Sequence, residues 1–159
     1  MKIGVIGIGQ SFRGDDAVGL EAVRLWKENY PETANLSDIR VDVCELPGLA
    51  MLELLDGLDA AILVDAVQCF SKPGTIHNLH PENLSAFSND SRSGHGWGVA
   101  ETLQLDRIIN PGRQQISVRL IGIEIEHLQM CFGLSKTLER SLPQICEAIQ
   151  KEVQILLLS

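Results

Sequence analysis

The first twenty residues contain the feature that most constrains the fold. An apolar run covers residues 3–8, includes Gly7 and is followed directly by Gly9. A short turn comes next, and an amphipathic segment then begins at Asp15 and Asp16. This order is typical of a buried strand, a tight loop and the first turn of a helix. Strand-to-helix junctions of this kind commonly bind ligands in α/β proteins.

Two familiar ligands of such a loop fit these residues poorly. The dinucleotide pattern G-x-G-x-x-G, started at Gly7, needs glycine where the chain has Phe12. Residues 9–14 have the glycine spacing of a P-loop, but Asp15 and Asp16 stand where that loop has lysine and serine or threonine. Two carboxylates would repel a phosphate, so the loop suits a cation better. The alternative, that one aspartate only caps the helix, stays open at this point.

Length and composition favour one soluble domain over residues 1–159. The chain is 45% hydrophobic, which is enough for its own core. Its longest apolar patches are far shorter than the roughly 20 residues of a membrane span. The first strand follows directly on the N-terminus without a secretion signal. We therefore expect a cytoplasmic protein with no membrane association, and nothing in the chain demands more than a monomer.

Charge argues against a nucleic-acid-binding protein, and cysteine usage argues against a disulfide-bonded one. The formal net charge is −8 and no basic stripe is present, which argues against binding of nucleic acid. The four cysteines include no C-x-x-C pair, so they predict reduced thiols that serve mainly as small core residues.

Hydrophobic periodicity predicts alternating strands and helices. Strands are predicted at residues 3–8, 39–44, 60–64, 75–80 and 115–125, of which the fourth is an edge strand. Helices are predicted at residues 16–29, 49–57 and 99–109 and from Ser135 onward, with Pro143 dividing or kinking the last one. This order predicts a three-layer α/β/α sandwich around a mostly parallel twisted sheet of about five strands.

A second candidate carboxylate follows the third predicted strand. Asp65 comes directly after the apolar run of residues 60–64. A buried carboxylate is costly unless it is paired, hydrogen-bonded or bound to a cation. Right-handed crossovers bring the carboxyl ends of strands one and three to one edge of the sheet. If these strands are neighbours, Asp16 and Asp65 face one crevice; capping of a turn is the alternative for Asp65.

A histidine in the least regular region is the third candidate. His95 lies between two glycines within residues 81–98, which are rich in serine, asparagine and glycine. Such a loop can deliver a ligand or catalytic group over a crevice. An exposed loop histidine without a role is the alternative.

Taken in order, these motifs resemble those of the hydrogenase maturation endopeptidases. The resemblance extends along nearly the whole chain. The matching motifs are residues 7–9, 13–16, 18–19, 62–66, 93–95, 122–124 and 133–135. The chain departs from the family at Gln10, where asparagine is usual, and at Ile125, near which many members have proline.

The resemblance implies an endopeptidase that removes the C-terminal extension from the precursor of a nickel–iron hydrogenase large subunit. The family's two carboxylates and loop histidine fall on Asp16, Asp65 and His95, which are thereby implied as metal ligands and catalytic residues. This mixed oxygen and nitrogen set suits nickel, which the substrate would supply. Five further residues stay without an assigned role: Asp15, Glu45, Glu124, Glu126 and His127.

Two other functions stay open on these residues. A divalent-metal carrier or chaperone module could use the same three ligands without cleaving anything. A nucleotide-binding domain could use the glycine turn, although Asp15 and Asp16 argue against it.

Overall fold

The computed structural model describes residues 1–45, 48–69, 71–80, 99–111, 116–126 and 131–159, without the side chains of Leu49 and Ala100. Five strands form one sheet in the order β2-β1-β3-β5-β4. The strands are β1 (Ile3–Ile8), β2 (Ile39–Cys44), β3 (Ala60–Val67), β4 (Ile76–Leu79) and β5 (Ser117–Glu124). Strands β2, β1, β3 and β5 are parallel, and β4 runs antiparallel to β5 at the edge, as predicted.

Helices cover both faces of this sheet. They are α1 (Val18–Asn29), α2 (Pro31–Ala34), α3 (Leu49–Leu55), α4 (Val99–Ile109) and α5 (Lys136–Leu157). Alternate residues of β3 divide between two cores, because successive strand side chains point to opposite faces. Ile62 and Val64 pack in the core with α1 and α5, whereas Ala61 and Leu63 pack in the core with α3 and α4. The predicted three-layer sandwich is confirmed.

The third strand extends beyond its predicted end. Strand β3 continues to Val67, and its ladder with β5 runs through the pair Val67 and Glu124. Asp65 therefore lies within the strand, opposite Gly122, and its predicted position after the strand was wrong. Backbone pairing with β5 keeps the chain extended after the apolar run has stopped.

The last helix is a single element, which excludes one of the two predicted effects of Pro143, a division into two helices. Pro143 lies on the exposed side of α5, where water can bond the carbonyl group that loses its partner. The buried side of the helix carries Leu138, Ile145 and Ile149, whose packing holds both halves against the sheet. No helix among the described residues is long and apolar enough to cross a bilayer.

Candidate active site

Asp16 lies beside the carboxyl end of β1. A 3₁₀ turn at Gly14–Ala17 holds it, and its side chain is buried. Oδ2 of Asp16 accepts a hydrogen bond from the N–H group of Gln10 at 3.0 Å. Neither aspartate of the turn is an N-cap residue, since Arg13 precedes the 3₁₀ turn and Ala17 precedes α1. Capping does not account for this acidic pair.

Asp65 is buried at the same edge of the sheet. The ladder between β1 and β3 ends at the pair Gly7 and Val64, so Asp65 is the next residue toward the carboxyl edge. Its Oδ1 accepts a hydrogen bond from the N–H group of Ala66 at 2.8 Å. The sequence predicted that Asp16 and Asp65 would lie at one edge of the sheet if the first and third strands were neighbours. In the structure, β1 and β3 are neighbours.

Two glycines allow the elements that carry these aspartates to approach closely. A Cβ atom on Gly19 of α1 would lie 2.2 Å from the carbonyl oxygen of Val64 and 2.4 Å from that of Ile8. A Cβ atom on Gly9, where φ is +152°, would lie 2.0 Å from the carbonyl oxygen of Asp16. Only glycine fits at these points, and the start of α1 therefore rests directly on the ends of β1 and β3.

The third predicted residue, His95, lies outside the described residues, and so do the neighbouring motif residues 93–94. The described chain resumes at Val99, whose side chain is buried in the same core as Leu63. Asp65 is two positions after Leu63 on β3, so both side chains point to that face of the sheet.

Asp15, to which the sequence assigned no role, joins the site to the last helix. Its Oδ1 accepts a hydrogen bond from the N–H group of Ser135 at 2.7 Å, and its Oδ2 accepts one from the Ser135 hydroxyl at 3.0 Å. Ser135 is the N-cap residue of α5 and accepts a bond from the N–H group of Leu138. No local pattern could have indicated this contact, because 120 residues separate the partners.

Replacing Asp15 with alanine is expected to lower the free energy of unfolding by about 2–3 kcal/mol, because it removes two charge-assisted hydrogen bonds from a buried position. Chemical denaturation of Asp15→Ala, Ser135→Ala and the double variant gives the coupling energy between the two side chains. Asp38→Ala, an exposed aspartate, is the matched control. Additive effects of the two site substitutions would contradict the contact.

Glu124 is a further buried acid that sequence reasoning left open. Its carboxylate accepts a hydrogen bond from the N–H group of Cys69 at 2.8 Å and lies 3.1 Å from Nε2 of His77. The signal in the sequence was an acid at the end of a long apolar strand, as at Asp65. The sequence could not show that residues on three different segments meet there.

Comparison with known proteins decides the family. Residues 46–152 match the model of the hydrogenase maturation protease family, HycI. The chain belongs to this family. The predicted resemblance is confirmed, and the matched range includes Asp65 and the position of His95.

Other hydrogenase maturation proteases align along nearly all of the chain. It is 28% identical to the hydrogenase 2 maturation protease of Escherichia coli strain K12, over 94% of this chain and 88% of that protein. It is 25% identical to a putative hydrogenase maturation protease of Methanocaldococcus jannaschii, over 96% of this chain and 92% of that protein. These alignments also extend into the region before residue 46, where Asp16 lies.

Solved structures share the fold. The hydrogenase maturating endopeptidase HybD from E. coli superposes with a TM-score of 0.81 at 23% identity, covering 97% of this chain and 93% of that one. An endopeptidase from E. coli, solved in solution, has a TM-score of 0.78 at 27% identity and covers 94% and 90% of the two chains. The architecture is that of the maturation proteases.

Proposed function

We propose that this hydrogenase maturation protease is an endopeptidase that removes the C-terminal extension from the precursor of a nickel–iron hydrogenase large subunit after nickel insertion. Membership of the family implies a peptidase that processes a hydrogenase precursor. The observation that carries the finer proposal is the pair of buried carboxylates, Asp16 and Asp65, at one edge of two neighbouring strands.

The chemistry of the donor set supports nickel as the ion that is recognised. Carboxylate oxygens and an imidazole nitrogen together suit a borderline divalent ion. Asp16 and Asp65 are 2% and 4% exposed, and charges interact more strongly where water is excluded. The backbone N–H groups of Gln10 and Ala66 donate to the carboxylates of Asp16 and Asp65, which helps to orient both carboxylates before the substrate arrives.

His95 completes the proposed set through its position before α4. It precedes Val99, the first residue of α4, by four residues, which span at most about 14 Å. Helix α4 leads to the start of β5 at the amino edge of the sheet, so a helix packed along the strands begins toward the carboxyl edge. That is the edge at which Asp16 and Asp65 lie.

In the proposed reaction, nickel arrives as part of the substrate. Binding of Asp16, Asp65 and His95 to that ion would fix the cleavage point relative to the protease. The bound divalent ion would polarise the scissile carbonyl or activate a water molecule, and one of the two carboxylates would take up the proton. A precursor without nickel offers no such anchor, which would prevent premature processing.

The proposal is tested with purified, nickel-loaded precursor and the purified protease. The expected result is a fall in the intact mass of the precursor that corresponds to loss of one C-terminal segment. A metal carrier would instead take up nickel and leave the length of the precursor unchanged. That outcome would replace the peptidase with the carrier function.

A further inference from the structure

Three side chains with metal-binding atoms converge where β3, β4 and β5 meet. Cys69 follows β3, His77 belongs to β4, and Glu124 ends β5. One ligand atom from each of the three residues lies within 4.8 Å of the other two. In a tetrahedral zinc site, bonds of about 2.0–2.3 Å place ligand atoms roughly 3.3–3.6 Å apart. The difference is small enough for side-chain rotations to close.

The backbone around Glu124 holds this cluster in place. Its Oε1 accepts a hydrogen bond from the N–H group of Cys69 at 2.8 Å, and its Oε2 lies 3.1 Å from Nε2 of His77. The N–H group of Glu124 donates to the carbonyl of Thr75 at 2.9 Å, and its own carbonyl accepts from the N–H group of Gly74 at 2.8 Å. These contacts hold the backbones of the segments around Glu124 in place, while the three side chains can still rotate.

The burial of Glu124 is what a bound cation would explain. Its side chain is 2% exposed, and among the described residues it forms no ion pair with lysine or arginine. Within the part of the chain that the structure describes, its ion-pair partner is His77, which carries a charge only when it is protonated. Burying a carboxylate without a full counter-charge is costly, and a divalent ion would supply that charge. Cys69 and His77 are only half-buried, which leaves an entry route.

The cluster lies beside the candidate active site without being part of it. Asp65 pairs with Gly122 of β5, and Gly122 pairs with His77 of β4, so one row of the sheet contains all three. Gly122 contributes no side chain between them. Two strand spacings separate Asp65 from His77, a distance of about 10 Å between their backbones. Among the described residues, the ligand atoms that lie within 4.8 Å of one another are those of Cys69, His77 and Glu124, and Asp65 is not in this group.

We propose that Cys69, His77 and Glu124 bind a borderline divalent metal ion of the Zn²⁺ type. The ligands are one thiolate, one imidazole and one carboxylate, and water takes the fourth position. The proposal is independent of the proposed peptidase function, because it concerns the protease without its precursor.

The same contacts argue against Cys69 as a nucleophile. Burial, and to a smaller extent the charge of Glu124, raises the pKa of the Cys69 thiol to about 11. Thiolate is therefore scarce at neutral pH, and Nε2 of His77 faces Glu124. A metal ion displaces the thiol proton when it binds, so binding should release a proton.

Cobalt titration of the metal-free, full-length protease tests the site, with Co²⁺ as a coloured substitute for Zn²⁺. We expect one equivalent to produce the near-ultraviolet charge-transfer band of a cobalt–thiolate bond, and Zn²⁺ to abolish that band. Cys69→Ser should remove the band and weaken binding by at least about tenfold. Substituting a residue that only hydrogen-bonds to a metal ligand can already cause a loss of this size. His77→Ala and Glu124→Gln should weaken binding to a similar extent.

Two controls separate this site from other ligands. Cys131→Ser removes an exposed thiol outside the cluster and should leave the band unchanged. The double variant Asp16→Asn/Asp65→Asn should also keep the band, because those carboxylates belong to the other site. Thermal melting identifies any variant that fails to fold. Absence of a thiolate band in the wild type, or its persistence in folded Cys69→Ser, would overturn the proposal.

Discussion

Processing of the precursor is expected to fall by about a hundredfold or more in each of the variants Asp16→Asn, Asp65→Asn and His95→Ala. Asparagine keeps the shape of aspartate and one oxygen that can accept the backbone N–H group, but it loses the negative charge. The proposed anchor for nickel would then have one ionic ligand fewer in a buried site. Cleavage rates measured by intact mass at saturating precursor give the effect on the bound complex.

The control for this series is an exposed aspartate outside the candidate active site. Asp38→Asn changes an exposed side chain before β2, away from the carboxyl edge of the sheet, and should process precursor at the parent rate. Thermal melting should show that the three site variants remain folded. Parent-like rates in all three folded variants would show that the site has been assigned to the wrong residues.

The largest expected loss of stability comes from Gly19→Ala. The added Cβ would meet the carbonyl oxygens of Val64 and Ile8 at 2.2 and 2.4 Å. Both are backbone atoms in the sheet, so α1 must move away from β1 and β3. We expect the free energy of unfolding to fall by about 3 kcal/mol, the upper part of the range for overpacked cores. This corresponds to a fall in Tm of about 6–12 °C.

Gly57→Ala is the comparison for this substitution. Gly57 has φ of +72°, but a Cβ there would have no atom within 4 Å. Its cost should be limited to backbone strain of about 1–2 kcal/mol. If Gly19→Ala were no more destabilising than Gly57→Ala in chemical denaturation, the close contact between α1 and the strands would be refuted.

Much of the fold could be predicted because its signals are local. The predicted strand at residues 39–44 and helix at residues 99–109 agree with β2 and α4, since periodicity and flanking turn residues mark both. The alternation of strands and helices was enough for the layer architecture. The strand predicted at residues 60–64 was shorter than β3. Pairing with β5, which no local pattern indicates, extends β3 to Val67.

Contacts between distant segments could not be predicted in the same way. Asp16 was recognisable because it follows the glycine-rich turn after an apolar run, and Asp65 because it comes directly after another apolar run. The bonds from Asp15 to Ser135, and the meeting of Cys69, His77 and Glu124, depend on how five segments are placed in three dimensions. Single polar residues have no periodicity to reveal such partners.

The most direct test of the central claim compares one precursor preparation with and without inserted nickel, at equal concentration and with metal content measured before the reaction. The claim is that Asp16, Asp65 and His95 recognise nickel held by the precursor. It predicts that the wild-type protease shortens the nickel-loaded precursor and leaves the nickel-free precursor at full length. Equal rates of shortening for the two precursors would contradict it.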